Sequence, residues 1–265
     1  MSGRLTGKTA LITGAGRGLG RYCALGYAAE GATVIVAARS ASDLDETVAL
    51  IAHSGGTAHA APVDVADPDS IAALVRRALA VTGRLDVVMA NAAHFAAGGF
   101  STVTPADWEQ QFRVNVHGVF HLVRAVVPVL AAQGGGHVIT VSSVAAHRSS
   151  PYGVTKRVVE EMTLGFAAEQ REAGIAVNAL RPVAAIATPG WLASRSPQAL
   201  AERAHRVSPP DSYVEAAILL ATQPGHRTGA LLTDADVIRE YGAPGELERF
   251  RALNAPIWAS EGITA

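Results

Sequence analysis

Tyr152 and Lys156 stand four residues apart in "SPYGVTKRVV", one turn apart on the same face of a helix. A phenol titrates near 10, so it accepts protons poorly at neutral pH unless a nearby cation stabilises the phenolate. Bringing it to neutrality takes about three pK units, or about 4 kcal/mol, to which an adjacent ammonium contributes. The lysine carries information beyond its type. Of 22 basic residues only Lys8 and Lys156 are lysines, so arginine serves wherever charge alone suffices. A compact ammonium with three donors reaches partners that a planar guanidinium fork serves less well.

A second stretch with chemical content is "LITGAGRGLGRYCA", residues 11–24, where a β-branched run enters a glycine-rich turn and a helical pattern follows. Glycines there allow a tight turn and close backbone approach, and the helix N-terminus favours negative charge, so the expected ligand is a dinucleotide pyrophosphate. After the next strand, a carboxylate would bind a ribose 2'-hydroxyl and repel a 2'-phosphate. The chain instead reads "VAARS", with Ala38 and Arg39, and Arg17 lies inside the glycine turn. Both guanidinium groups suit a phosphate, which favours NADP(H) and leaves NAD(H) as the alternative.

The elements that must position these residues follow from periodicity. Short β-branched runs at 9–13, 33–39, 58–62, 87–91, 137–142, 176–181 and 230–233 alternate with helical patterns beginning near Arg17, Ser42, Asp67, Pro105, Pro151 and Asp211. That alternation predicts an α/β fold: a Rossmann-like, doubly wound, mostly parallel seven-stranded sheet with helices on both faces. Asp67-Pro68 and Thr104-Pro105 each place a side-chain acceptor before a proline suited to the first helical position. The 265 residues are expected to form one domain. Residues 187–211 are expected to act as a substrate lid, and about 238–265 as a C-terminal extension with a short helix over 246–254.

In order along the chain, "TGAGRGLG", "VDV" at Asp64, "NAA" at Asn91, "VNVHG" at Asn115, "VSSVA", "YGVTK" and "VNALRP" are similar to motifs of the short-chain dehydrogenase/reductase family. The resemblance runs from about Leu5 to Asp236, and the order of the motifs carries it. It implies catalytic roles for Tyr152, Lys156, Ser143 and Asn115: proton transfer, support of the phenol and ribose, polarisation of the carbonyl, and a water-linked relay. It implies cofactor contacts at Gly14, Gly16, Arg17, Gly18, Leu19, Gly20, Arg39, Asp64, Val65, Asn91, Ala92, Tyr152, Lys156, Pro182, Ile186 and Thr188. The implied reaction interconverts a carbonyl and a secondary alcohol by hydride transfer; a dinucleotide-binding sensor or scaffold is the alternative.

Four departures mark the chain as divergent. Ser143 precedes Tyr152 by nine residues where the family typically has about thirteen, which leaves Ser142 and Ser149 as fallbacks. "ANAA" replaces "NNAG", and Val183 follows Pro182 where glycine is usual. Ala235, Asp236 and Val237 replace a terminal "DGG".

Bulk properties exclude other classes. Twenty-two basic against 23 acidic residues provide no field for nucleic acid or anionic lipid. The N-terminus lacks a secretory pattern, and the longest apolar stretch is broken by His121, Arg124 and Pro128, so a cytoplasmic protein without membrane partners is expected. Cys23 is expected to be a buried apolar residue, and no metal site is expected, His117 and His121 having no third ligand nearby. The long apolar helices over 108–133 and 151–174 are expected to pair between copies as a homodimer or homotetramer.

Overall fold

The computed structural model describes residues 3–186, 188, 191–192, 198, 207–223 and 227–243. Nine strands are defined there: β1 (Thr9–Thr13), β2 (Thr33–Ala38), β3 (Thr57–Pro62), β4 (Val87–Ala90), β5 (Gly136–Val141), β6 (Ile175–Arg181), β7 (Ala185–Ile186), β8 (Val207–Ser208) and β9 (Leu231–Thr233). The helices are α1 (Gly18–Ala29), α2 (Ala41–His53), α3 (Pro68–Thr82), α4 (Pro105–Phe112), α5 (Gly118–Ala132), α6 (Pro151–Gln170), α7 (Asp211–Thr222) and α8 (Asp234–Tyr241). Seven strands form one sheet in the order β3-β2-β1-β4-β5-β6-β9, every pair parallel. Strand order reverses between β1 and β4, which opens the crevice where ligands bind in such sheets.

Burial explains the strand sequences. All five residues of β1 and all four of β4 are buried, as expected of central strands covered on both faces. One core packs α1, α2 and α7 against the sheet through Tyr22, Leu44 and Val214; the other packs α3, α5 and α6 on the opposite face through Leu74, Val123 and Val159. Helix starts follow cap chemistry. Ser40, Asp67, Thr104, Ser150 and Thr233 each accept a first-turn backbone N–H, and proline opens α3, α4 and α6.

The seven expected strands agree with the sheet to within one residue at each end. Three features were not anticipated. A π-helical turn, Arg113–His117, joins α4 to α5; β7 and β8 pair as a separate small sheet; and α8 follows β9 directly. The expected helix over 246–254, and most of the expected lid and extension, lie outside the described residues. Pro105–Ala132 runs for 28 residues and contains an 18-residue stretch of mean hydropathy 1.5, long and apolar enough to cross a membrane, yet half of that stretch is buried within the fold. It packs against α3 and α6, which identifies it as a core helix.

One ion-pair group ties the chain's beginning to its later half. Arg4 bridges Glu30 at 3.0 Å and Glu215 at 2.6 Å, and both carboxylates are buried. Removing one partner of a buried charge cluster costs about 3–5 kcal/mol because the remaining charges lose compensation. Arg4→Met is therefore expected to lower the urea unfolding free energy at pH 7 by that amount; a loss below about 1 kcal/mol, the scale of an exposed pair, would show that the cluster is solvated.

Candidate active site

The glycine turn lies between β1 and α1, at the C-terminal edge of the sheet. Gly14 and Gly18 have φ of +68° and +57°, values that other residues adopt only with strain. A Cβ on Gly14 would stand 2.8 Å from Asn91 Nδ2, and one on Gly20 would run into the Gly14 carbonyl. Both glycines are therefore required by packing. Asn91 secures the inner side: its Nδ2 donates to the Thr13 carbonyl at 2.8 Å and to the Gly14 carbonyl at 3.2 Å. Ala92 N–H donates to Thr13 Oγ1.

The outer side is fastened by residues the motif reading missed. Buried Arg21 donates through Nε to the Gly16 carbonyl at 3.0 Å and through its guanidinium to Glu46 at 2.8 Å. Thr47 Oγ1 donates to the Ala15 carbonyl at 3.1 Å. A basic residue on the buried side of an apolar helix was the available signal. Unlike the five capped helices, α1 receives no side-chain cap: Arg17 is its N-cap residue, and its first turn contains no acidic residue. Its leading amides remain available to an anion. These features fit a dinucleotide, with the turn as the pyrophosphate cradle.

The remaining cofactor candidates divide into those beside the turn and those spent on structure. Leu19 packs against the core, while Arg17 and Arg39 are exposed, and neither forms an ion pair among the described residues. Thr188 lies beside Gly18, whose added Cβ would be 3.4 Å from Thr188 Cβ. Its Oγ1 accepts the Trp191 N–H, and its own N–H donates to the Ile186 carbonyl. Ile186 is buried in the core, and Pro182 is half-buried. Asp64 is exposed, with Oδ1 accepting the Ala66 N–H in a local turn; Val65 is buried against Gly118.

The catalytic candidates converge at the ends of β5 and α6. Ser150 caps α6 and Pro151 opens it, which places Tyr152 in the first turn and Lys156 one turn on. Lys156 is 2% exposed; its Nζ donates to the Val141 carbonyl at 2.8 Å and lies 5.7 Å from the centre of the Tyr152 ring. Burial pushes the lysine pKa down to about 8 and pushes the Tyr152 phenol up. The direction at the phenol is opposite to the lowering expected from sequence. The physical reason is placement: the ammonium is held by a backbone carbonyl and faces the ring, and desolvation disfavours the charged form of both groups. The Tyr152 hydroxyl has no hydrogen bond to a described residue.

Ser143 Oγ accepts the Ala145 N–H at 3.1 Å, capping a short 3-10 turn, Val144–His147, and leaving its own proton to donate. The turn sits close on α6: a Cβ on Gly153 would meet the Ala145 and Arg148 carbonyls. Ser142 is spent differently. Its hydroxyl donates to Glu160 Oε1 at 2.7 Å, and both residues are buried. Glu160 also meets Arg181 at 3.5 Å and His147 at 3.7 Å, a cluster with no motif signature. Ser149 is exposed.

Asn115 lies in the π-helical turn, fully buried. Its Oδ1 accepts the His94 N–H at 2.7 Å, and its Nδ2 donates to the His94 carbonyl at 2.9 Å and to Thr155 Oγ1 at 3.1 Å. It thereby fixes the segment after β4 to α6. Asp234 does similar work after β6: Oδ1 accepts the Val183 N–H and Oδ2 the Ser212 hydroxyl. Burial pushes its carboxyl up against these hydrogen bonds. The Thr233–Asp236 capping box was the local signal for α8 that the sequence reading passed over. No metal-ligand group of three His, Cys, Asp or Glu occurs among the described residues, where His117 and His121 only stack, their rings 6.4 Å apart.

Comparison with known proteins agrees with this geometry. Residues 8–198 match the short chain dehydrogenase family. Oxidoreductase UcpA of Escherichia coli K12 is 34% identical over 185 residues, 68% of this chain and 70% of its own length. A solved 7α-hydroxysteroid dehydrogenase, complexed with NADH and 7-oxo glycochenodeoxycholic acid, superposes with TM-score 0.81 at 29% identity, covering 87% of this chain and 93% of its own. A Beutenbergia cavernae protein described as an NAD(P) dependent gluconate 5-dehydrogenase, with NADP at low occupancy, superposes with TM-score 0.78 at 31% identity, covering 88% and 97%. The glycine cradle at the strand-order reversal, the buried lysine below a tyrosine and these likenesses together make the chain a dehydrogenase/reductase, a member of the short-chain dehydrogenase/reductase family.

Proposed function

We propose that the chain interconverts a carbonyl and a secondary alcohol with NADP(H), using Tyr152, Lys156, Ser143 and Asn115. The observation that carries this reading is the burial of Lys156 against the Tyr152 ring, since an ammonium removed from water needs a functional reason. The nicotinamide, when bound, gives or takes the hydride. Tyr152 gives its phenolic proton to the carbonyl oxygen in reduction and recovers it from the alcohol in oxidation. Ser143, held as an acceptor by Ala145, directs its proton at the same oxygen. Lys156, whose pKa of about 8 lies close to neutrality, exchanges protons readily and supports the ribose, while Asn115 holds the segment of His94 against Thr155 at the start of α6.

The preference for the 2'-phosphate rests on exposed Arg17 and Arg39 and on the absence of a carboxylate at either Ala38 or Arg39. Assembly into a dimer or tetramer through α4–α5 and α6 belongs to the same reading. Trp108, Phe112, Phe120 and Phe166 are half-buried there. A cytoplasmic setting completes it.

Three outcomes check this reading. Tyr152→Phe is expected to reduce kcat by about 10²–10⁴ while NADPH affinity, read by fluorescence titration, changes little. Arg39→Glu should shift the ratio of kcat/KM with NADPH over NADH toward NADH by about tenfold or more; an unchanged ratio would remove Arg39 from cofactor choice.

The third concerns Lys156. A pKa lowered from 10.5 to about 8 by burial corresponds to about 3 kcal/mol of destabilisation while the group is charged in both states, below about pH 8. Above pH 8 the unfolded chain alone retains the proton, so this cost declines as pH rises and is gone above about 10.5. Lys156→Met is therefore expected to be more stable than the parent by up to about 3 kcal/mol at pH 7, with the gain shrinking toward zero near pH 10.5 in matched urea titrations. A pH-independent difference would sink the assignment of a buried ammonium.

A further inference from the structure

Four large apolar side chains are exposed among the described residues: Val81 at 40%, Phe95 at 55%, Phe100 at 55% and Val183 at 50%. Val81 lies on α3. The other three occupy the segments leaving β4 and β6, at the sheet edge that carries Tyr152. Phe95 is the nearest of these to the chemistry. Its ring meets the Tyr152 ring edge-on, with centroids 5.4 Å apart and planes at 77°. Despite this contact Phe95 remains more than half exposed.

This apolar surface is held in place before any substrate arrives. His94, immediately before Phe95, has both backbone groups bound by Asn115. Phe100 rests on Trp108 at 6.5 Å, and Trp108 in turn on Phe112 at 4.7 Å. Residues 91–104 contain no Lys, Arg, Asp or Glu, and neither do residues 182–186. An anionic keto or hydroxy acid finds no lysine or arginine on these two segments, whereas a neutral carbon skeleton finds preordered aromatic surface.

We infer that Phe95 determines specificity, and that the substrate is a neutral ketone or secondary alcohol whose reacting carbon belongs to, or adjoins, an alicyclic or aromatic ring system. The inference rests on Tyr152 meeting the substrate oxygen. Given that, the 5.4 Å spacing between the rings puts the surface of Phe95 against the skeleton within one or two rings of the reacting carbon. A three- or four-carbon ketone would leave this surface wet and gain little from it.

The test compares NADPH-dependent reduction of 2-decalone, hydroxyacetone and pyruvate by the full chain and by Phe95→Ala and Phe95→Leu. The expected parent order is 2-decalone far ahead of the other two. Phe95→Ala should lower kcat/KM for 2-decalone by about tenfold or more, chiefly through KM, and alter hydroxyacetone by less than about twofold; Phe95→Leu should recover part of the loss. An equal fall with all ketones would make Phe95 a support for Tyr152, and no change would make it a bystander; either overturns the inference. A change of mass in light scattering on Phe95→Ala, with selectivity intact, would assign the surface to a second copy and overturn it likewise. If the parent turns over none of the three, the reading of Tyr152 fails separately. In that case calorimetric titration of 2-decalone into the protein with NADPH decides: weaker binding to Phe95→Ala upholds the apolar wall, and equal binding ends it.

Discussion

An ammonium at 2% exposure, with the Val141 carbonyl as its acceptor among the described residues, is the constraint around which this site is arranged. Such a group is costly to bury, and neither the core nor the helix needs it there. An alkyl side chain at position 156 would pack without the penalty. The fold tolerates the cost at the one point where α6 begins beside the end of β5. There a charge with three donors stands next to a phenol, at the same edge of the sheet as the crevice created by the reversal of strand order between β1 and β4. The energetic anomaly and the topological opening coincide.

The surrounding polar contacts hold segments that secondary structure leaves loose. β1, β4, β5 and β6 deliver loops to the same edge, and each of these is secured by a side chain from elsewhere in the sequence. Asn91 secures the turn after β1; Asn115 secures the segment after β4; Asp234 secures the one after β6. Glu160 joins the end of β5, through Ser142, to the end of β6, through Arg181. The π-helical turn has a positional consequence as well. By adding a residue to one turn it changes the helix phase, and Asn115, which sits in it, reaches the His94 backbone and Thr155 rather than its own preceding turn.

These contacts also explain what could be read in advance. Strands β1 to β6 announced themselves because each is a short β-branched or small-residue run bounded by turn chemistry, and Ser150-Pro151 fixed where α6 begins. The glycine turn was legible because φ above zero and close backbone approach restrict the residue type itself. Glu160, Arg21, Thr47 and Asp234 were not legible. The partners that tie them across the fold lie up to 51 residues away, and a buried polar residue on a helix has the same local spacing as an exposed one. Asn115 was found through resemblance, but its contact with His94 was visible only once β4 and the π-helical turn stood side by side. The shortening between Ser143 and Tyr152 was legible as a length. Its structural result, a 3-10 turn drawn tightly onto α6, required coordinates.

The two pKa directions bear on which form of the site is held at rest. Burial raises the phenol and lowers the lysine, so across neutral pH Tyr152 keeps its proton. Proton transfer from phenol to lysine is uphill, because the lysine is the stronger acid of the two. The free protein therefore presents the acid form of Tyr152, the form the proposed function requires for protonating a carbonyl oxygen. Lys156 does not hydrogen-bond the phenol: its Nζ lies 5.7 Å from the ring centre and donates one proton to the Val141 carbonyl. Within the proposed function, a lysine poised near neutrality suits the part of a proton reservoir beside the ribose better than that of the sole agent acidifying the phenol.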